Sequence, residues 1–193
     1  YSMVPEALIE GSVSDTVTIQ NPLSDDMVYM RKTLIPNLLQ VVHENQDHEI
    51  IKLFELANIY EKNGKDLPKE TLMLAGIIHK PHASFVETKG IIEQLLHNMG
   101  IEQVTFSQST DRYGADITLT KSKELLGNIA IRNETTITFE LNFAIMITHA
   151  LLKKIFKPIS KYPPIVEDMA IIASTNVQTG DLMEIMKKQS SLI

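Results

Sequence analysis

EIIKLFELANIYEKNGKDLPKETLMLAGIIH, residues 49–79, is the stretch that decides the fold class. Between Glu49 and Lys62, Ile51, Leu53, Ala57 and Ile59 alternate with Lys52, Phe54, Leu56 and Tyr60, the two-residue period of a strand. Apolar side chains fall on both faces of that alternation, so the strand is expected to be largely buried. Asn63-Gly64 follows, a strong turn signal, and the apolar run Thr71–His79 supplies a second strand. The two are expected to pair antiparallel through a loop somewhat longer than a minimal hairpin.

Upstream, Ser24-Asp25-Asp26 is a helix-start signal, and Leu34, Leu38, Val41 and Val42 recur at helical spacing. Pro36 is tolerated only near a first turn, so the spacing predicts a short helix, a break, and a second helix from about Ile35. Downstream, Ser84-Phe85-Val86-Glu87 has capping-box form, Ile91, Ile92, Leu95, Leu96 and Met99 make one apolar face, and Gly100 ends the helix. The faces Leu34/Leu38/Val42 and Ile92/Leu95/Met99 are assigned to core. Short β-like runs follow at Val104–Ser109, Ala115–Thr120 and Leu125–Ile131, then the β-branched Thr135–Leu141; Asn142–Phe156 returns to helical spacing. Helices mixed with antiparallel strands, without strict β-α-β alternation, give an α+β class.

Lys157–Pro164 (KPISKYPP) carries three prolines and reads as an extended linker. The expected organisation is a core over 1–156, a linker over 157–164 and an incomplete second domain over 165–193. That last piece has one strand at Met169–Ala173 and one helix from near Thr179, too little to bury a core alone. With Tyr1 at its head, the chain is expected to be a piece of a longer protein.

Composition narrows the function. Of 193 residues, 44% are apolar and 22% charged, an ordinary globular balance. A formal charge of −6 excludes a stand-alone basic sleeve for nucleic acid. The chain has no cysteine, which excludes disulfides, thiolate–zinc sites and thiol nucleophiles. No signal peptide or spanning run is visible, so a cytoplasmic location without membrane partners is expected.

Catalytic constellations are scarce. Neither GxxxxGK[ST] nor GxGxxG occurs. His79-Lys80-Pro81-His82 reads as a loop, not a metal pair, because Pro81 breaks the helix that would align the imidazoles. His43 and His48 fit dipole complementation at a helix C-terminus. Asp111–Asp116 reads as a polar turn, and Asn133-Glu134-Thr135 as a glycosylation triplet left unmodified. Lys153, Lys154, Lys157 and Lys161 form a modest basic patch, a solvated helix end that could also meet RNA. Glu55 and Glu140 sit in apolar strand contexts and must find partners there; sheet-edge salt bridges suit them better than acid–base work, since no companion group is evident.

The order of several short motifs is more specific than any one. Asn21-Pro22-Leu23-Ser24, then Met30–Leu39 (MRKTLIPNLL), Asn45, and Leu53-Phe54-Glu55-Leu56 resemble the β subunit of bacterial phenylalanine–tRNA ligase. Phe85–Leu96 (FVETKGIIEQLL), Gly127–Ile129, Phe139-Glu140-Leu141, and Tyr162-Pro163-Pro164 with Asp168-Met169-Ala170 continue the resemblance in register. The chain departs from the family at Asn37 and Ala57, where glycines are usual, and at Glu167, where an arginine usually precedes Asp168.

The resemblance implies a class II synthetase-like core, a mainly antiparallel sheet flanked by helices, followed by a truncated ferredoxin-like segment of the anticodon-binding domain. It implies an α subunit as partner in a heterotetramer, tRNA(Phe) as a ligand of the full-length β subunit, and ATP and Mg²⁺ used by the holoenzyme. The core itself is expected to be catalytically silent, with no catalytic residues, bound cofactor or metal. Class II chemistry needs arginines to grip phosphate. The strand around Glu55 has no arginine nearby in sequence, and Thr135–Phe156 contains neither glycine nor arginine. The alternatives are a divergent class II ligase domain that binds ATP itself and a regulatory paralogue that binds an amino acid.

Overall fold

In the computed structural model the described residues are 2–64, 66–111, 113–151, 158, 161–163, 165–174, 177 and 179–189. The chain divides into two compact units, Tyr1–Lys154 and Ile155–Ile193.

The first unit opens with β1 (Met3–Val4), 3-10 turns at Glu6–Leu8 and Val13–Asp15, and β2 (Tyr29–Met30), which pairs antiparallel with β1. Helix α1 spans Ile35–Glu44, with Pro36 in its first turn. No helix forms at Ser24-Asp25-Asp26. Ser24 closes a single turn instead, accepting from Met27 N–H at its carbonyl and from Asp26 N–H at its hydroxyl. Ile19 N–H to Val28 O and Met30 N–H to Val17 O then pull the chain extended, so tertiary pairing overrides the local start signal.

Six strands follow, β3 (Ile51–Asn63), β4 (Asp66–His79), β5 (Val104–Gln108), β6 (Gly114–Leu119), β7 (Leu125–Ile131) and β8 (Thr136–Asn142), in the order β3-β4-β8-β7-β6-β5 with every neighbouring pair antiparallel. The β3–β4 ladder runs up to Asn63 opposite Asp66, so the hairpin is tight, not the longer loop expected from sequence. Gly64 at φ +59 supplies the left-handed turn residue.

The sheet buries both faces. Leu74, Ile117, Ile129, Ile137, Phe139 and Leu141 pack under α2 (Phe85–Asn98) through Ile92 and Leu96, and under α3 (Phe143–His149) through Met146. On the other face Ile51, Ile59, Ala75 and Ile77 pack against Leu34, Ile35, Leu38 and Val42 of α1. Gly76 has no room for a side chain because the Phe139 ring lies on its backbone.

Two further expectations fail for physical reasons. β3 is an edge strand and is mostly exposed: Phe54 is 76% accessible and Leu56 is exposed too, because α2 covers its neighbours but not β3 itself, and Leu53 is exposed on the opposite face. The helix after Asn142 stops at His149; Leu151 N–H donates to Met99 O, so the end of α2 captures the chain in an extended conformation. Lys153, Lys154 and the rest of the expected helix lie outside the described residues.

In the second unit, α4 spans Thr179–Gln189, where a helix was expected. Met169–Ala173 is not a strand; no ladder partner is present among the described residues of this unit, and an unpaired strand has nothing to satisfy its backbone.

Candidate functional site

A strand register fixes which side chains share a face, and directly paired residues always do. One row of such pairs crosses the whole sheet on the face that carries α1. It runs Ser107 of β5, Asp116 of β6, Asn128 of β7, Glu140 of β8, Ala75 of β4 and Glu55 of β3. Three carboxylates, an amide and a hydroxyl thus lie in one line across this face of the sheet. The carboxylates fall on every second strand, about 10 Å apart at ordinary strand spacing. Among the described residues no three acidic or imidazole groups converge as metal ligands.

Glu55 meets a cation. Arg31 Nη1 lies 2.7 Å from Glu55 Oε1, its Nε donates to Asn58 O at 3.1 Å, and its side chain is only 4% exposed. Glu55 is therefore a salt-bridge partner, as its apolar context required, but the arginine comes from the segment before α1 and not from the strand. An arginine is near Glu55 in space although none is near in sequence. Its backbone is committed as well, with Arg31 N–H to Ser2 O and Tyr60 N–H to Arg31 O.

Glu140 has no salt bridge among the described residues. Its Oε1 accepts from Leu34 N–H at 2.8 Å, and Thr33 Oγ1 donates to both carboxylate oxygens at 3.0 and 2.9 Å. The expected ion pair is replaced by a helix N-terminus: α1 has no side-chain cap of its own at Leu34, and Glu140 reaches across from β8 to serve as one. Burial pushes this carboxyl above its ordinary range, and the Glu10 carboxylate adds to the rise; the Leu34 and Thr33 hydrogen bonds and Arg132 act the other way.

Several of the other polar residues singled out by the sequence have local partners. Of the three arginines in the chain, Arg132 donates from Nε to Thr138 Oγ1 at 3.0 Å, and Arg112 lies outside the described residues. His79 shares a 2.8 Å hydrogen bond with Thr136 Oγ1, and the loop after it is docked by Lys80 N–H to Thr135 O and Ala83 N–H to Glu134 O. His43 sits in the last turn of α1 and bonds Gln46. Asn133 closes the β7–β8 turn by accepting from Thr135. Tyr113 stands exposed on the β5–β6 turn. Of the basic patch only Lys161 is described, exposed at a bend; Lys153, Lys154 and Lys157 lie outside the described residues.

Sequence reasoning named Glu55 and Glu140 and missed Arg31, Asp116 and Asn128. The alternation of Ala115, Ile117 and Leu119 with Asp116 and Thr118 places Asp116 on the less apolar face, but only the register puts it in line with Asn128 and Glu140.

The fold has a solved counterpart. Pyrrolysyl-tRNA synthetase from Desulfitobacterium hafniense superposes with a TM-score of 0.60 over 77% of this chain and 60% of its own, at 14% identity, a likeness of fold alone. By sequence, the chain is 31% identical to the phenylalanine–tRNA ligase β subunit of Carboxydothermus hydrogenoformans over 93% of this chain and 26% of that protein. It is 25% identical to the corresponding subunit of Fusobacterium nucleatum, over 100% of this chain and 28% of that one. The chain thus spans about a quarter of the length of these relatives. Residues 1–118 match the model of the phenylalanyl-tRNA synthetase β chain CLM domain, and with the motif order and the antiparallel synthetase-like sheet in agreement, the chain belongs to that family.

Proposed function

We propose that this chain is the synthetase-like core of a phenylalanine–tRNA ligase β subunit and that it acts without catalysing, supporting an α subunit that attaches phenylalanine to tRNA(Phe) with ATP and Mg²⁺. The observation that carries the reading is the row across the sheet. Where a nucleotide triphosphate would need guanidinium groups, the row offers Glu55, Glu140 and Asp116. Arg31 is buried and already engaged by Glu55 and by Asn58 O, and Arg132 donates to Thr138. Loss of a single transition-state donor costs a factor of about 10²–10³, so a surface that repels the phosphates and withholds its cation does not suit adenylate chemistry. The residues present therefore do not fit ATP.

The same reading extends to the parts beyond the sheet. Residues 1–156 form the core, 157–164 the linker, and 165–193 the start of a ferredoxin-like anticodon-binding domain whose first strand would form when neighbouring strands are available. Lys153, Lys154, Lys157 and Lys161 would contact RNA phosphate, the holoenzyme working in the cytoplasm.

The test is ATP–pyrophosphate exchange. The chain alone is expected to give none, and an intact β subunit is expected to support exchange once an α subunit is added. Exchange by this chain alone, or tight ATP–Mg²⁺ binding in calorimetry, would overturn the reading in favour of a divergent ligase domain.

A further inference from the structure

A cavity of about 300 Å³ opens where the chain enters β5 and leaves β6. Its walls are residues 100–103 between α2 and β5, the β6–β7 turn, and the end of α3. Each wall is pinned to the next. Thr120 N–H donates to Gln103 O at 2.9 Å, Leu151 N–H donates to Met99 O at 2.8 Å, and His149 Nε2 lies 3.6 Å from Glu124 Oε2. The fold itself therefore shapes the space. Its size is at the small end of ligand pockets, which run from about 300 to 1,000 Å³.

The cavity is apolar at its base and charged at its mouth. Ile101 and Leu119 are buried there, and Leu151 offers an exposed apolar side chain beside them. β5 and β6 pair Val104 with Leu119, and the bond from Thr120 to Gln103 carries that pairing one step further. Glu102 and Lys121 are the next residues outward on the two sides, so opposite charges stand on facing walls of the cavity. They do not close on each other. Both are exposed, and neither makes an ion pair or a side-chain hydrogen bond among the described residues. The neighbouring charges are engaged elsewhere, since Glu124 faces His149. Ser122 Oγ accepts from Glu124 N–H and keeps its own proton to donate.

We propose that this cavity binds a small zwitterion, an ammonium and a carboxylate on a short apolar body, of the size of leucine. An unengaged carboxylate on one wall and an unengaged ammonium on the other are complementary to a molecule that carries the reverse pair. Lys121 Nζ and Ser122 Oγ hold the ligand carboxylate, Glu102 receives its ammonium, and its apolar part lies on Ile101, Leu119 and Leu151. Charge-assisted hydrogen bonds at both ends are stronger than neutral ones. A ligand with one charge alone leaves the opposite wall unanswered, which sets the selectivity. The site is separate from the polar row on the α1 face and does not depend on whether that row handles ATP.

The test is an NMR titration of the chain with leucine. Backbone amides of Gln103, Lys121 and Ser122 should shift and saturate, with a dissociation constant in the millimolar range. Leucinamide, which lacks the carboxylate, and N-acetylleucine, which lacks the ammonium, should each bind about tenfold or more weakly. Lys121→Met should abolish the preference for leucine over leucinamide, and Glu102→Gln the preference over N-acetylleucine. Lys123→Met, on the same turn but outside the cavity, should bind leucine as wild type does. All three positions are exposed, so the circular dichroism of the variants should match wild type. Shifts that never saturate, equal binding of leucine and either one-charged analogue, or Lys121→Met and Glu102→Gln variants that bind like wild type would each overturn the proposal. So would saturable shifts confined to Asp116 and Asn128, which would place the ligand on the α1 face instead.

Discussion

The two helices that cover opposite faces of the sheet both begin at a glutamate, and the two glutamates are perturbed in opposite directions. At the start of α1, Glu140 arrives from β8, is half-buried, meets no salt-bridge partner among the described residues, and has its carboxyl pushed up by desolvation. At the start of α2, Glu87 belongs to the helix itself and is clamped by Lys52 at 2.8 Å and by Lys80. Hydrogen bonds from Lys52 and then Lys80 hold it down at about 2, well under its ordinary 4.5. The helix macrodipole favours a carboxylate at both places and cannot explain the difference. What separates them is dehydration on one side and two ammonium groups on the other.

The comparison breaks most directly at Glu140. Glu140→Ala leaves Leu34 N–H and the Thr33 hydroxyl without their acceptor in a buried setting, at a cost of about 2–3 kcal/mol in urea denaturation at pH 7. A change within the error of the measurement would mean that the remote cap contributes nothing. Glu140→Gln sharpens the point by keeping a carbonyl acceptor while removing the charge. A carboxyl with a raised folded pKa adds stability that is fully present below its unfolded value and is lost as pH rises through the folded one. Wild type should therefore lose part of its stability as pH rises from about 4.5 toward neutrality, and Glu140→Gln should not.

Both helix starts were readable, α2 from four consecutive residues and α1 from Pro36, which set it at about Ile35, but the cap of α1 was not. Ser84-Phe85-Val86-Glu87 announces its helix, and Ser84 Oγ does accept from Glu87 N–H. Even there only half of the box forms, because the Glu87 carboxylate turns to lysines on β3 and beyond β4 instead of back to Ser84. The short helix expected at Ser24-Asp25-Asp26 does not form, and the helix expected from about Ile35 does, but its cap lies 106 residues away on β8. Strands β3 to β8 were legible because each contains an apolar or alternating run bounded by turn residues, although β4 reaches back to Asp66, ahead of its apolar run. Their order was not, since β8 inserts between β4 and β7 and only that insertion aligns Asp116, Asn128 and Glu140. The exposure of β3 was hidden for the same reason: an apolar run on both faces reads alike at the centre of a sheet and at its edge.

A smaller effect is expected from the hydroxyls that complete each start. Ser84→Ala removes the side-chain cap of α2 and should cost about 1 kcal/mol. Thr33→Val should cost a similar amount, about 1 kcal/mol, through the lost donor to Glu140. The two should differ in a second respect. Thr33→Val takes away a hydrogen bond that favours the charged form of Glu140 and should push that carboxyl higher still, steepening the loss of stability toward neutral pH. Ser84→Ala should leave that slope unchanged. Equal slopes in the two variants would uncouple Thr33 from the ionisation of Glu140.

The smallest effect on stability, and the clearest on ionisation, belongs to Glu87. Its folded pKa is depressed, so whatever it contributes is present above the ordinary 4.5 and is lost as pH falls toward 2, the reverse of Glu140. The group is accessible to solvent, and screening over a Debye length of about 10 Å at 0.1 M salt weakens the clamp. A carboxyl titration followed by NMR should find Glu87 near 2 in the wild-type chain. Lys52→Met and Lys80→Met should each raise it toward 4.5, Lys52→Met the further, because Lys52 is the stronger of the two influences. If Glu87 titrates at its ordinary value in all three proteins, the two lysines hold no carboxylate, and the difference between the helix starts reduces to the burial of Glu140 alone.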